Sequence, residues 1–411
     1  MPFEDSYLMV MPIPYYLDDT GRVWLERLWY HDLKRHFSYL PQLHLAAPQL
    51  AKQDEADLVP LSDDDARRVR FVPLPPQRSK VEFLRGLPRT LRTLWQAVGE
   101  ADTVHSGVIG WPIPLGWLAS PIALLRKRKL VLVIESANWR LNASTQKTLA
   151  KVLRHHVSEA IGRWFTNRAD LVIAKHHGYL RSLATHPRGI TVVSPASWIE
   201  DDALLNPQRC SSDWAAKQAT AARFAFFGRL VPEKGVRVLL EAARQLAAGS
   251  NPPRIDIIGR GELLDECRRA AADLSFVRVL EPVPYGEAFF NLVRQYHAII
   301  VPTLSDEQPR IVYDAYSQAV PVIASNTEGN SDDVVDGCTG WLLPAGSASA
   351  LAQRLLQAAA QTARLSEMGM NGLQRARQTT HAEMHRKRAE ILQRLKAPRT
   401  AHARPLQYPS R

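Results

Sequence analysis

The sequence predicts an α/β protein built from two doubly wound units, each with a mainly parallel sheet. Short apolar runs of strand length alternate with segments of helical apolar periodicity along most of the chain. Strands that alternate with helices favour parallel pairing, because each helix carries the chain back across the sheet. The length of 411 residues also exceeds what a single hydrophobic core usually organises, so at least two domains are expected.

The first unit is expected to cover residues 1–206. Buried strands are predicted from their apolar, β-branched composition at Tyr7–Met11, Gln42–Ala46, Val69–Pro73, Thr103–Ile109, Leu130–Glu135, Leu171–Lys175 and Gly189–Val193. Helical periodicity predicts helices at Val23–Ser38, Val81–Gly99 and Ser144–Thr166. The stretch Leu204–Ala216 contains Asn-Pro and Cys-Ser-Ser, which is typical of a linker.

The second unit, residues 207–380, repeats the alternation. Its predicted strands are Arg223–Gly228, Arg254–Ile258, Val277–Leu280, Ala298–Pro302 and Val320–Ala324. Its predicted helices are Gly235–Ala248, Gly261–Ala272, Gly286–Gln295, Pro309–Gln318 and Ala348–Gln361. A further helix is expected at residues 381–396. Residues 397–411 are rich in Pro and Arg without an apolar period, which predicts a disordered basic tail.

Composition points to a globular protein of the cytoplasm. Apolar residues make up 45% of the chain and charged residues 23%, which are ordinary proportions. The three cysteines are far apart and odd in number, so no disulfide framework or zinc knuckle is expected. The first residues lack the order of a signal peptide, and the apolar run Ile113–Leu125 is too short to span a bilayer.

The net charge of +11 predicts an anionic partner. Between Ala66 and Arg181 there are 20 Lys and Arg residues against 6 Asp and Glu residues. The segment Lys80–Trp95 combines arginines with apolar residues, and Arg126–Lys129 adds a basic cluster beside an apolar run. This pattern favours contact with an anionic membrane surface at the inner face of the plasma membrane. Nucleic acid is not an expected partner, because recognition modules and aromatic platforms are missing.

The segment Val301–Ser325 carries the clearest chemical signal. Its pattern predicts a buried strand, an acidic loop, a helix that Pro309 can start, and a second buried strand. Asp306 precedes this helix and Asp314 follows eight residues later, roughly 12 Å along a helical axis. That separation suits a long polar ligand with hydroxyls at both ends and an anionic middle, such as a nucleotide-sugar.

Four motifs in order resemble those of family 4 glycosyltransferases. The acids of Val301–Ser325 resemble the Glu-x7-Glu pair, here with two Asp residues and with Ala in place of the usual glycine before Val-Pro. Phe226–Val236 resembles the Gly-Arg-Leu and Glu-Lys-Gly loop, and Ile255–Gly261 resembles a strand with Gly-x-Gly. Glu328–Leu343 resembles the Gly-Gly-x-x-Glu stretch with its Asp-Gly-x-Thr-Gly continuation.

This resemblance implies a GT-B fold, in which two Rossmann-like domains face a central cleft. The second domain would bind the donor and the first the acceptor, with the helix at 381–396 crossing back to the first. The implied reaction transfers a sugar from a UDP- or GDP-linked donor to a glycan or lipid-linked acceptor with retention, in bacterial polysaccharide or glycoconjugate synthesis. It uses no metal and no other cofactor. A GT-B epimerase or hydrolase, or a catalytically silent nucleotide-sugar-binding protein, is the alternative.

The resemblance also assigns donor residues. Arg229 and Lys234 match the two cations that contact the diphosphate, and cations at a helix start suit that role. Asp306 would lie over the transferred sugar, and Asp314 near the ribose. Because Asp is about one methylene shorter than the family's Glu, either the helix lies closer to the ligand or Glu307 takes part of the role of Asp306. Backbone around Val283 would hold the base. The remaining expected contacts come from Gly228, Gly259, Pro309, Arg310 and Ile311.

Two candidate residues lie in the first unit. His105 ends an Asp-x-Val-His segment that resembles a strand end of the family, and it is either a catalytic group or a structural hydrogen-bonder. Glu135 stands after an apolar strand, where many relatives carry a His that faces the sugar. A carboxylate there can bind a sugar hydroxyl, orient the acceptor, or act as a base in an inverting reaction.

Overall fold

The computed structural model describes residues 3, 5–53, 57–141, 148–305 and 307–395. The chain divides into two compact units. The first comprises Met1–Trp139, Leu153–Ser194 and the chain from His385 onward, and the second comprises Arg140–Val152 and Pro195–Met384. The predictions made for Asp306 and for the tail 397–411 concern residues outside the described part of the chain.

The first unit contains a large, mostly parallel sheet. Its strands are β1 (Tyr7–Val10), β2 (Tyr15–Leu17), β3 (Val23–Glu26), β4 (Leu43–Ala51), β5 (Leu58–Pro60), β6 (Val69–Leu74), β7 (Thr103–Gly107), β8 (Lys129–Ile134), β9 (Leu171–Ala174) and β10 (Ile190–Val193). Seven strands run parallel in the order β10-β9-β8-β7-β1-β4-β6, which are the seven that the sequence predicts. An extension β2-β3-β5 continues from the end of β4, with β3 antiparallel to both neighbours.

The helices of the first unit are α1 (Arg27–His36), α2 (Asp63–Ala66), α3 (Lys80–Glu100), α4 (Leu115–Leu125), α5 (Leu149–Thr166) and α6 (His177–Leu183). The prediction of a helix from Val23 is wrong for its first four residues, because Val23–Glu26 pairs as β3. Ser79 starts α3 by accepting a hydrogen bond from the Glu82 amide at 3.1 Å. The Glu82 carboxylate accepts a hydrogen bond from the Arg78 amide, one residue before the cap, at 2.7 Å, which further fixes the helix start.

The second unit has a six-stranded sheet in which every neighbouring pair is parallel. The strands are β11 (Arg223–Phe227), β12 (Arg254–Ile258), β13 (Val277–Leu280), β14 (Ala298–Val301), β15 (Val322–Ser325) and β16 (Gly340–Leu343). Their order is β13-β12-β11-β14-β15-β16. This is the Rossmann order, and its topological switch point lies between β11 and β14.

In the part of the second unit that the structure describes, the helices are α7 (Pro207–Gln218), α8 (Val236–Leu246), α9 (Leu264–Asp273), α10 (Glu287–Val293), α11 (Ile311–Ser317), α12 (Glu328–Asp333), α13 (Ala348–Ala360) and α14 (Thr362–Arg377). The linker predicted at Leu204–Ala216 is wrong, because most of it forms α7. The Asn206 side chain caps this helix by accepting a bond from the Gln208 amide at 2.9 Å, and Pro207 occupies its first turn. Asn-Pro is therefore a helix start here.

The last helix, α15 (His381–Arg394), passes from the second unit to the first. Its residues Ile391 and Leu392 are buried in the core of the first unit, on the sheet face opposite the core that contains α3 and α4. Among the described residues, no helix has both the length and the apolar character that crossing a membrane requires.

Candidate functional site

The switch point of the second sheet brings two loops side by side. One loop follows β11 and runs from Gly228 to Gly235, and the other follows β14 and runs from Pro302 towards α11. The carboxyl ends of parallel strands at a switch point are the usual ligand position in doubly wound sheets. The sequence-predicted cations lie on the first loop and the predicted acids on the second.

Main-chain contacts fasten these two loops together. The carbonyl of Glu233 accepts hydrogen bonds from the Leu304 amide at 2.8 Å and from the Thr303 hydroxyl at 3.1 Å. Gly235 has a φ of +73°, and a Cβ atom at this position would lie 1.8 Å from the carbonyl oxygen of Pro302. Only glycine fits, because a side chain would overlap the neighbouring backbone.

The two predicted cations occupy different environments. The Lys234 ammonium lies 3.4 Å from the Glu307 carboxylate across the switch point, and its side chain is 20% exposed. The Arg229 guanidinium is 3.8 Å from Glu233 on its own loop, and its side chain is 67% exposed. Lys234 is therefore held over the junction, whereas Arg229 has room to reorient towards a ligand.

Gly259 and Gly261 have a packing role that the motif did not predict. A Cβ atom on Gly259 would lie 1.9 Å from the carbonyl oxygen of Gly228, and one on Gly261 would lie 2.5 Å from that of Leu230. The amide of Gly228 donates to the Ile258 carbonyl at 3.1 Å. The Gly-x-Gly segment therefore allows the chain after β12 to pass directly over the chain after β11.

The helix predicted from Pro309 begins at Ile311 and has seven residues. Arg310 occupies the N-cap position without a side-chain capping bond. The Pro309 carbonyl accepts a bond from the Val312 amide at 3.2 Å, so Pro309 lies in the turn that leads into α11. The Arg310 side chain is exposed, with its guanidinium 5.8 Å from the ring centroid of Trp198. A charged group beside an aromatic face gains a modest cation–π attraction.

Asp314 is buried and bonded to the loop after β13. The Tyr285 hydroxyl donates to a carboxylate oxygen of Asp314 at 2.8 Å. Burial raises the pKa of Asp314 to about 6, although the Tyr285 hydrogen bond and the nearby Arg310 charge oppose this shift. Val283 lies two residues before Tyr285 on the same loop and is half-buried. The bond therefore joins the segment expected to hold the base to the helix expected to lie near the ribose.

The raised pKa of Asp314 predicts a pH-dependent stability. A carboxyl group whose pKa is raised from about 4 to about 6 stabilises the fold fully at low pH, and this contribution is lost as pH rises through 6. Between pH 4 and pH 8 the free energy of unfolding should fall by up to about 3 kcal/mol more in the wild type than in Asp314→Asn. Urea unfolding followed by circular dichroism measures both, and equal pH slopes would contradict the assignment.

Asp333 is a buried carboxylate whose importance the sequence interpretation missed. Its side chain lies at the end of α12, and the residue is only 1% exposed. Its two carboxylate oxygens accept bonds from the Tyr313 hydroxyl and the Gln308 amide, each at 2.7 Å. Burial raises the pKa of Asp333 to about 7, and both bonds oppose the shift. Asp333 thus anchors the loop that carries Glu307, a contact that no local pattern indicates.

His105 lies in the middle of β7 rather than at a strand end, paired with Met9 and Val131 on the neighbouring strands. Its Nδ1 atom is 3.0 Å from the Tyr7 hydroxyl, and both side chains are buried. Burial lowers the pKa of His105 to about 3, so the imidazole is neutral at pH 7. These contacts favour the structural role over the catalytic one.

Glu135 follows β8 at the carboxyl edge of the first sheet, as the sequence predicts, and its side chain is 54% exposed. Its carboxylate lies 3.9 Å from the ammonium of Lys175, which follows the adjacent strand β9. No sequence pattern singles out Lys175, because a single Lys after an apolar run usually lies in solvent at the end of a strand. In the structure its side chain is only 8% exposed.

The strand order and the paired charges at its switch point define the second unit as a doubly wound domain of the Rossmann type. Residues 221–361 match the family model of group 1 glycosyl transferases. A D-inositol 3-phosphate glycosyltransferase from Gordonia bronchialis is 25% identical over 303 residues, which are 69% of this chain and 64% of that protein. This chain thus spans less than two thirds of that relative's length.

Two further comparisons agree with the match to group 1 glycosyl transferases. A UDP-Gal:α-D-GlcNAc-diphosphoundecaprenol α-1,3-galactosyltransferase from Escherichia coli is 24% identical and covers 69% of this chain and 73% of its own length. The crystal structure of HepE from Anabaena in complex with UDP matches with a TM-score of 0.65 at 16% identity, covering 95% of this chain and all of that one. The predicted GT-B fold and the resemblance to family 4 glycosyltransferases are confirmed.

Proposed function

We propose that this protein transfers a sugar from a nucleotide-sugar donor, UDP- or GDP-linked, to a glycan or lipid-linked acceptor in bacterial polysaccharide or glycoconjugate synthesis. The observation that carries the proposal is the Lys234–Glu307 pair at 3.4 Å across the switch point of a Rossmann sheet. A cation and an acid held together at that position suit a sugar diphosphate. The cation attracts phosphate oxygens, and the acid accepts hydrogen bonds from sugar hydroxyls.

The donor would lie along the carboxyl edge of the second sheet. Lys234 and Arg229 neutralise the charge that develops on the departing nucleoside diphosphate, in place of a metal ion. Glu307 would face the transferred sugar, and Tyr285 with Asp314 would lie towards the ribose and base. Transfer with retention requires that the acceptor hydroxyl attack from the side that the diphosphate leaves, without an enzyme nucleophile.

The relatives support this choice of substrates. HepE from Anabaena has been crystallised with UDP-glucose as well as with UDP, and the Escherichia coli relative is named for a UDP-galactose donor and a diphosphoundecaprenol acceptor. A lipid-linked acceptor would also explain the basic, partly apolar surface of the first unit, since such a substrate is held at a membrane.

A two-part assay tests the proposal. Calorimetry with UDP, GDP and ADP identifies the nucleotide, and chromatography then measures nucleoside diphosphate release from the matching sugar donors, with and without membrane lipid extract as acceptor. Release that depends on the extract supports a transferase. Release or conversion without acceptor indicates the epimerase or hydrolase alternative. Binding without any turnover indicates the silent binding protein, and no binding of any nucleotide contradicts the whole assignment.

We also propose that the first unit docks on an anionic membrane at the cytoplasmic face. Helix α3 presents apolar side chains that are strongly exposed, with Val81 57% and Leu84 62% accessible, and Trp95 46% accessible further along. Arginines at 85, 89 and 92 lie on the same helix. The Arg126 guanidinium lies 4.3 Å from the Trp95 ring. Apolar groups can enter the interface while the arginines bind lipid phosphates.

A double variant of α3, Leu84→Asp with Leu91→Asp, should lose most of this membrane binding. Each change removes apolar area and adds a negative charge, so binding to vesicles of phosphatidylglycerol and phosphatidylcholine should fall by at least about tenfold. Co-sedimentation with the vesicles is the measurement. Leu356→Asp is the matched control, because Leu356 is 48% exposed on α13 of the second unit. Equal sedimentation of all three proteins would contradict the docking surface.

A further inference from the structure

Lys175 lies at the position where a doubly wound sheet usually meets its ligand. It follows β9 directly, and Glu135 follows the adjacent parallel strand β8. Both side chains therefore belong to the carboxyl edge of the first sheet, where substrates of doubly wound proteins bind. Neither the family motifs nor the relatives' names assign a role to this lysine.

The Lys175 ammonium lacks the partners that a buried cation normally has. Its side chain is 8% exposed, and its Nζ atom makes no hydrogen bond to any residue that the structure describes. The ammonium lies 3.9 Å from the Glu135 carboxylate, too far for a hydrogen bond, and that carboxylate is 54% exposed. An ammonium group has three N–H donors, and none of them is taken by a described protein group.

Such an arrangement opposes stability, because a buried charge without hydrogen bonds loses its hydration and receives little in return. Burial lowers the pKa of Lys175 to about 8. The charge of Glu135 opposes this shift, that of Arg388 adds to it, and that of Asp32 opposes it. A buried basic group with a lowered pKa at the ligand edge of a sheet is typical of a binding or catalytic site.

We propose that Lys175 and Glu135 form an acceptor subsite, in which the ammonium binds an anionic phosphoryl or carboxylate oxygen and Glu135 accepts a hydrogen bond from an adjacent hydroxyl. An incoming oxygen supplies the partner that the ammonium lacks, and a hydroxyl donor suits a half-exposed carboxylate. The subsite rests on the proposed function, since it takes the acceptor and not the donor. It selects acceptors that carry an acid group beside a hydroxyl.

Chemical labelling of the full-length protein tests the subsite without any assay of activity. Limiting acetic anhydride modifies unprotonated amines, and mass spectrometry follows the extent of modification at Lys175 relative to the exposed Lys151. Inorganic phosphate is the phosphoryl probe and acetate the carboxylate probe, with chloride at equal ionic strength as the control. Either probe should reduce relative labelling of Lys175 severalfold. Labelling that is the same in all three salts would overturn the proposal, and the more protective probe identifies the acid group.

Two variants separate binding from a structural role. Glu135→Gln removes the competing carboxylate, so protection by phosphate should appear at lower concentration. Lys175→Met removes the buried charge at similar volume, so the melting temperature should stay level or rise while KM for the acceptor increases at least about tenfold. A lower melting temperature with an unchanged acceptor KM would overturn the proposal. UDP affinity of Lys175→Met should equal that of the wild type, and failure of the wild type to bind any nucleotide would instead contradict the proposed function.

Discussion

Replacing Lys234 with Ala should lower kcat/KM for sugar transfer by about 10²- to 10⁴-fold. The ammonium is held across the switch point by Glu307 at 3.4 Å, so it is preorganised at the position where the diphosphate gains charge. Alanine leaves Glu307 unpaired beside that charge, which adds repulsion to the lost attraction. Steady-state kinetics with the donor identified by calorimetry, together with UDP affinity, measure the effect.

Arg237→Ala is the matched control for this change. Arg237 lies three residues further on, in α8 of the same unit, and its guanidinium pairs with Glu266 at 3.1 Å on the exposed surface. An exposed pair of this kind contributes little, so turnover and melting temperature should stay near the wild-type values. If Lys234→Ala and Arg237→Ala reduced turnover equally, Lys234 would have no special place in the reaction.

Replacing Gly235 with Ala should destabilise the second unit by more than about 4 kcal/mol. The added Cβ atom would lie 1.8 Å from the Pro302 carbonyl oxygen and 2.6 Å from its carbon, so the β14 loop must move away from the β11 loop. The positive φ of +73° adds roughly 1 to 2 kcal/mol of backbone strain. Urea unfolding monitored by circular dichroism gives the change in stability, and UDP affinity should fall with it.

Gly337→Ala isolates the part of this effect that is due to φ alone. Gly337 has a φ of +72° in the same unit, but a Cβ atom there would meet nothing within 4 Å. Its substitution should therefore cost only about 1 to 2 kcal/mol. Comparable losses from the two substitutions would mean that the close approach of Gly235 to Pro302 does not stabilise the junction of the two loops.

Much of the local structure around the proposed donor site was predictable because its signals are local. The Phe226–Val236 segment carries a buried strand, two cations and two glycines within eleven residues, and the structure places Lys234 at the switch point as that order implies. The acidic segment Val301–Ser325 likewise forms β14, α11 and β15. The apolar period of a strand or helix and the residue types of a turn depend on neighbouring residues. Both can therefore be recognised in the sequence.

Other features depend on residues that are distant along the chain. The Asn206-Pro207 pair is compatible with a turn and with a helix start. The helix forms because Trp214 and Cys210 pack into the core of the second unit. Val23–Glu26 has apolar residues compatible with a helix, but it forms a strand because β2 and β5 lie on either side of it. Tertiary partners override a weak local preference.

The sequence by itself determined the alternation of strands and helices, the two-unit organisation and the residue types of the proposed sugar-diphosphate site. Each of these depends on residues that are close together along the chain. The tertiary structure alone decided how charges and hydrogen bonds pair across loops. It joined Lys234 to Glu307 and buried Asp333 against Gln308. It also left the Lys175 ammonium at a sheet edge without a hydrogen bond to any described residue. Such pairings bring together segments tens of residues apart, and only the register of the completed sheets determines them.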